Sequence, residues 1–177
     1  MRLFFALCPA ARATECLATI ADEAATSFGG KPTRQETIHL TLAFLGEIAE
    51  ARAPDVLATG SALRASAFDL CIDRLGLWRH NHLVWAGCSS VPAALSALAG
   101  GLGDALSAAG FIFDNKRPFA PHVTLVRKIP DFVTEDRLPR IDPIAWKCSD
   151  FLLMRSRPSA AGPAYEVLAG FPLATDD

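Results

Sequence analysis

The chain has 177 residues, 51% of them apolar and 20% charged, and carries a net charge of −2. This balance excludes a disordered chain and gives a core large enough to need no staples. It also excludes the basic coat that tight, sequence-independent binding to long nucleic acid requires.

From the N-terminus, residues Leu3 to Cys8 are predicted as a strand ended by Pro9. Met1-Arg2 and this apolar run resemble a truncated signal peptide. The run is short, however, and its charged region is a single Arg, so a buried first strand is the expectation. Ala11 to Ser27 reads as an alanine-rich helix closed by Gly29-Gly30. Ile38 to Leu45 reads as a strand stopped by Gly46, and Pro54 to Ser66 as a helix with Pro54 in its first turn. Phe68 to Leu75 and Leu83 to Gly87 are predicted strands, with Arg79-His80-Asn81-His82 near the turn between them. Pro92 to Ala109 is a predicted helix weakened by Gly100, Gly101 and Gly103. His122 to Lys128 is a predicted strand. Trp146 to Met154 and Tyr165 to Ala169 are the last predicted strands, joined by a loop with Pro158, Gly162 and Pro163. No stretch is long enough to cross a membrane and no low-complexity linker divides the chain, so residues 1–177 are expected to form one bilobal domain.

The five cysteines, Cys8, Cys16, Cys71, Cys88 and Cys148, include no C-x-x-C pair. The odd count points away from a disulfide framework or zinc ribbon and towards mostly buried, reduced thiols in a cytoplasmic protein. Between Lys116 and Arg157 there are nine Lys/Arg and five Asp/Glu. That excess suits a site gripping one or a few phosphates; an ordinary mixed surface is the alternative.

Strand, helix, strand occurs twice. The second strand of the first unit carries His39-Leu40-Thr41-Leu42, and that of the second carries His122-Val123-Thr124-Leu125. Residues two apart on a strand share a face, so each strand presents one imidazole beside one hydroxyl, while Leu40, Leu42, Val123 and Leu125 point into packing. A single such histidine is more often structural. Two with threonine at the same offset, on strands related by a pseudo-two-fold axis, would face each other across one cleft. Buried together without partners these groups are costly, and a phosphate would supply the partners. Two imidazoles can cleave a phosphodiester without metal, the neutral ring taking a proton from the attacking oxygen and the protonated ring giving one to the leaving oxygen. The threonine hydroxyls can donate to non-bridging oxygens.

These motifs resemble the 2H phosphoesterase superfamily, and within it the bacterial and archaeal RNA 2′,3′-cyclic phosphodiesterases, also called 2′-5′ RNA ligases. The resemblance spans nearly the whole chain. It includes Met1-Arg2-Leu3-Phe4-Phe5-Ala6-Leu7, Ile38 to Gly46, Leu83-Val84-Trp85-Ala86-Gly87, Arg117 to Arg127, Leu152 to Ser156 and Tyr165-Glu166-Val167-Leu168. It implies an α+β fold of two pseudo-symmetric lobes, whose antiparallel sheets form a central cleft and whose helices lie on the outer faces. It implies His39 as proton donor to the ribose oxygen and His122 as proton acceptor from water. Thr41, Thr124 and Arg127 would bind phosphate, and Phe44 would stack on the terminal base. Arg127 and Phe44 each lie five residues after their histidine, so strict alternation turns them to the other face. They reach the site only if the strand ends, twists or bulges, and core packing is the simpler reading of Phe44.

No cofactor and no metal are expected. His80 and His82 straddle a turn with no carboxylate or cysteine at ligand spacing and read as exposed turn residues. Ser156, Ser159 and Gly162 fall in a polar loop that could border the cleft, and Trp78, Trp85 and Trp146 read as core or rim. The expected reaction is hydrolysis of a cyclic phosphate at an RNA end to a 2′-phosphate, with ligation only as its reversal, since no nucleotide-binding glycine loop is present. The rivals are a phosphodiesterase for a small cyclic nucleotide, such as an ADP-ribose cyclic phosphate, and a binding module without turnover. Neither a membrane nor an obligate protein partner is expected.

Overall fold

The computed structural model describes residues 1–113, 118–160 and 162–175. β1 (Arg2–Leu7) leads into α1 (Ala11–Phe28), then β2 (Lys31–Pro32) and β3 (Leu40–Glu47). After α2 (Ala53–Ala62) come β4 (Phe68–Ile72), β5 (Arg74–Trp78) and β6 (Leu83–Gly87). α3 (Ala93–Ala108) and β7 (Val123–Arg127) follow, and β8 (Ile144–Cys148), β9 (Asp150–Ser159) and β10 (Gly162–Pro172) complete the order.

Seven of these strands run β10-β9-β1-β3-β7-β6-β5 across one sheet, with β2 added beside β7. β4 and β8 form a separate pair. The repeated strand, helix, strand units are β1-α1-β3 and β6-α3-β7. The two halves meet where β3 pairs with β7, through the single antiparallel pair Leu40–Val123. The expected two sheets are therefore continuous through one bridge, and the residues before it are His39 and His122.

Alternation on β1 separates the two faces of this sheet. Leu3, Phe5 and Leu7 are buried in the main core, whereas Phe4 and Ala6 join Met154 in a small cluster on the other face. Helix α1 buries Ala13, Leu17, Ala21 and Ala24, and α3 buries Leu95, Leu98, Leu102 and Leu106. Their spacings place each set on one helical stripe against the core. α1 packs on β2 and β7, and α3 packs on β3, so each helix braces a strand of the opposite half. The helices thus occupy the outer face and leave the Phe4 face open.

Several boundaries differ from the sequence expectation. Phe68 to Leu75 is two strands in different sheets, β4 and β5, and Trp146 to Met154 is likewise divided between β8 and β9. Asp73 sits at the first break and accepts a hydrogen bond from the Ser89 amide at 2.6 Å, so the chain turns there. β3 does not stop at Gly46 but continues to Glu47, with Gly46 at φ +69°. The presumed loop around Pro158 and Pro163 is paired backbone: β9 and β10 extend to Gly162–Ser159. Three glycines do not interrupt α3. Of the cysteines, all free, Cys88 and Cys148 are buried, but Cys16 and Cys71 are exposed, so the thiols are not mostly buried.

Candidate active site

Both histidines sit one residue before their strand, each preceded by a segment that fixes the ring. A 3-10 turn, Gln35–Thr37, places the Thr37 carbonyl so that His39 Nδ1 donates to it at 2.7 Å. In the second half His122 Nδ1 donates to the Ala120 carbonyl at 2.8 Å. Pro121 between them disfavours helical backbone at Ala120, which keeps that carbonyl in an extended segment. A carbonyl can only accept, so both rings carry a proton on Nδ1 and turn Nε2 to the cavity. His39 Nε2 lies 3.1 Å from Thr41 Oγ1.

Aromatic rings pack on each imidazole. Phe4 and Tyr165 both stand 5.1 Å from the His39 ring, and Trp78 is 4.4 Å from His122, edge to face. Trp78 in turn stands 5.5 Å from Trp85. Trp85 lies over Gly76, where a Cβ would come within 2.1 Å of the indole, so only glycine on β5 admits it. Sequence reasoning missed Phe4, Tyr165 and Trp78 as neighbours of the histidines. The one available signal was parity on β1, which turns Phe4 away from the core side.

The Leu40–Val123 register places His39 across from Thr124, and Thr41 across from His122. The histidines then stand on a diagonal, about 7–8 Å apart for an ordinary antiparallel ladder, which leaves room for a phosphate.

A β-bulge on each strand brings Phe44 and Arg127 to this face. β1 pairs Ala6 with Thr41 and Phe5 with Ala43, so Leu42 is an extra residue. β6 pairs Trp85 with Thr124 and Val84 with Val126, so Leu125 is extra. Each bulge buries two successive residues, Leu42-Ala43 and Leu125-Val126, and returns the next side chain to the cavity. Phe44 is 43% exposed with the Arg2 guanidinium 4.9 Å above its ring. The core-packing reading of Phe44 is therefore corrected.

His39, Thr41, Phe44, His122, Thr124 and Arg127 all line one cavity of about 1040 Å³. Ser156, Ser159 and Gly162 border it, as does Trp78, while Trp146 is buried in the core. Arg2, Lys31, Arg34, Arg127, Arg155 and Arg157 supply cations, against Glu47 as the one carboxylate among the described lining residues. Half of those cations come from the first 34 residues, outside the basic stretch that the sequence emphasised. Lys116 and Arg117 of that stretch lie outside the described residues. His80 and His82 are exposed on a 3-10 turn, with His82 Nδ1 3.3 Å from Asp131.

Burial pushes both imidazoles below the ordinary histidine value. The carbonyl bonds to Thr37 and Ala120 oppose this shift, and the positive charge of Arg127 adds to it. Burial likewise pushes the Tyr165 phenol up. Neutral rings at pH 7 can accept a proton at Nε2. An anion between them would offset the Arg127 charge and allow one ring to hold a second proton.

Two His-x-Thr motifs facing each other on pseudo-symmetric strands define a 2H phosphoesterase. The chain belongs to the LigT like Phosphoesterase family, whose profile matches residues 8–85 and 87–165. It is 35% identical over 136 residues to the RNA 2′,3′-cyclic phosphodiesterase of Escherichia coli, covering 75% of each chain. It is 29% identical to the protein of that name from Thermus thermophilus, over 98% of this chain and 90% of the relative. A crystal structure of E. coli LigT complexed with 3′-AMP superposes with a TM-score of 0.86 at 30% identity, covering 97% of both chains.

Proposed function

We propose that this protein hydrolyses the 2′,3′-cyclic phosphate at an RNA end to a 2′-phosphate and a free 3′-hydroxyl, working as one bilobal unit over residues 1–177. The observation that carries the reading is the facing pair of imidazoles, each with Nδ1 tied to backbone and Nε2 turned to the cavity. The names of the relatives in E. coli and T. thermophilus support the substrate class. Five free cysteines suit a reducing, cytoplasmic setting.

The phosphorus lies between the rings in this mechanism. His122 Nε2 takes a proton from water as the water oxygen attacks phosphorus. The bond from phosphorus to O3′ breaks on the opposite side, and that oxygen takes the Nε2 proton of His39. Exchange with solvent then restores both rings. Thr41, Thr124 and Arg127 donate to the non-bridging oxygens, where negative charge is held through the displacement.

A break in the pseudo-symmetry supports one orientation of the ribose. Bulged strands return equivalent positions to the cavity, but one half places Phe44 there and the other Arg127. Phe44, with Arg2 above it and Phe4 and Tyr165 nearby, offers an aromatic wall to a base on the His39 side. Arg127 offers charge on the His122 side. A nucleotide with its base at Phe44 brings its ribose to His39, which supports His39 as the acid.

The pH profile tests the coupled pair. Both free-enzyme values lie below 6.5, so kcat/KM should be bell-shaped with its maximum on the acid side of neutrality, reporting values that belong to the pair. Bound phosphate offsets Arg127 and raises the imidazoles, so the alkaline limb of kcat should lie at higher pH than that of kcat/KM. Coincident alkaline limbs would contradict proton retention driven by the bound anion. Turnover of a panel of small cyclic nucleotides and short oligonucleotides ending in cyclic phosphate separates the RNA-end reading from a small-nucleotide enzyme and from a binding module.

A further inference from the structure

We propose that Lys31 and Arg127 form a two-cation clamp for a phosphate group, which makes Lys31 a binding residue of the reaction proposed above; the inference rests on that reading. β2 consists of Lys31 and Pro32 alone, and it pairs Lys31 with Arg127 and Pro32 with Val126. Val126 is fully buried on the helix side. The opposed pair one residue along therefore projects to the cavity side, and both Lys31 and Arg127 line the cavity.

Two like charges directly opposite on neighbouring strands destabilise the ladder. Nothing described relieves them: among the described residues no carboxylate forms an ion pair with either. Arg155 likewise forms no ion pair among the described residues, but three other cations of the cavity have partners. Arg34 pairs with Glu36 at 3.3 Å, Arg157 with Glu166 at 2.7 Å, and Arg2 covers Phe44. Glu47 faces the N-terminal amine at 3.6 Å. Lys31 and Arg127 are thus a concentrated, uncompensated charge within one cleft.

The local backbone is built for this approach. Gly30 has φ +93°, and a Cβ there would lie 2.6 Å from the Arg127 carbonyl oxygen and 2.9 Å from Val126 Cγ1. Only glycine lets β2 come close enough to β7 to set Lys31 against Arg127. The Thr33 amide donates to the Leu125 carbonyl at 2.7 Å and locks the register from the other side. A guanidinium can hold two phosphate oxygens in its plane while the ammonium takes a third direction as a point charge. Either the reacting phosphate or the next phosphodiester along the chain has this chemistry.

The test uses Lys31→Met, which keeps the aliphatic stem and removes the charge, and Lys31→Arg, which keeps the charge. Thermal midpoints are measured with and without inorganic phosphate. KM and kcat are measured on a nucleoside 2′,3′-cyclic monophosphate and on a dinucleotide ending in the same cyclic phosphate. Lys31→Met should melt no lower than wild type without phosphate, because a repulsion is removed. It should lose most of the phosphate-induced rise and show KM raised roughly tenfold, with a smaller change in kcat. Lys31→Arg should restore both. An equal KM effect on both substrates assigns the clamp to the reacting phosphate, and an effect on the dinucleotide alone assigns it to the next one. An undiminished phosphate-induced rise in Lys31→Met, no such rise in wild type, or a lower midpoint without phosphate would each overturn the clamp. The phosphate arm needs no turnover. A wild-type protein that cleaves neither substrate but is stabilised through Lys31 would therefore refute the reaction and leave the clamp standing.

Discussion

Alanine at His39 or at His122 is expected to lower turnover by at least about 10²-fold, the lower end of what a positioned acid or base contributes. The fold should survive both changes. Each ring sits on the cavity face beyond the end of its strand, and the core packs on the other face of the sheet. His39→Ala leaves Phe4 and Tyr165 still in contact, at 5.0 Å between rings, and His122→Ala leaves Trp78 on Trp85. The double variant should lose less than the product of the single losses, because an acid without its base has little left to contribute. Steady-state turnover alongside a thermal melt measures this. Near-native turnover in either single variant would remove that histidine from the chemistry.

Arg127 should follow in size. Loss of its charge-assisted contacts in Arg127→Ala is expected to lower kcat/KM by about 10²-fold, and Arg127→Lys should recover part of it, since an ammonium holds only a point charge. The pH profile supplies a second readout. Arg127 depresses both imidazoles; without it they move back up towards 6.5, and the optimum of the alanine variant should shift to higher pH. The lysine variant keeps the charge and should keep the optimum. Equal, wild-type activity in both variants would place Arg127 outside the site.

The sequence carried the two strand, helix, strand units and the paired motifs because these depend on local pattern. Ala11 to Phe28 is alanine-rich with a glycine stop, and Leu83 to Gly87 forms a strand with the bounds its composition suggests. The bulges at Leu42 and Leu125 were not legible as structure. Both fall in apolar runs, Leu42-Ala43 and Leu125-Val126, where a change of face leaves no polar mark. They are nevertheless what returns Phe44 and Arg127 to the cavity. The division of Phe68 to Leu75 into strands of two sheets falls at Asp73-Arg74, where no glycine or proline marks a turn. β2 is too short to show a period, and its role comes only from pairing with β7, more than ninety positions away. Tyr165 and Trp78 reach the histidines by tertiary contact alone.

The most direct measurement is phosphorus NMR of the products from a short oligoribonucleotide ending in a 2′,3′-cyclic phosphate. In-line attack places the departing oxygen opposite the water. With one histidine on each side of phosphorus, only the oxygen beside the acid is protonated as it leaves. If His39 serves O3′, as proposed above, a single product with a 2′-phosphate and a free 3′-hydroxyl is expected. A 3′-phosphate would reverse the ribose orientation. An equal mixture, or an intact cyclic phosphate, would contradict the fixed acid and base pair.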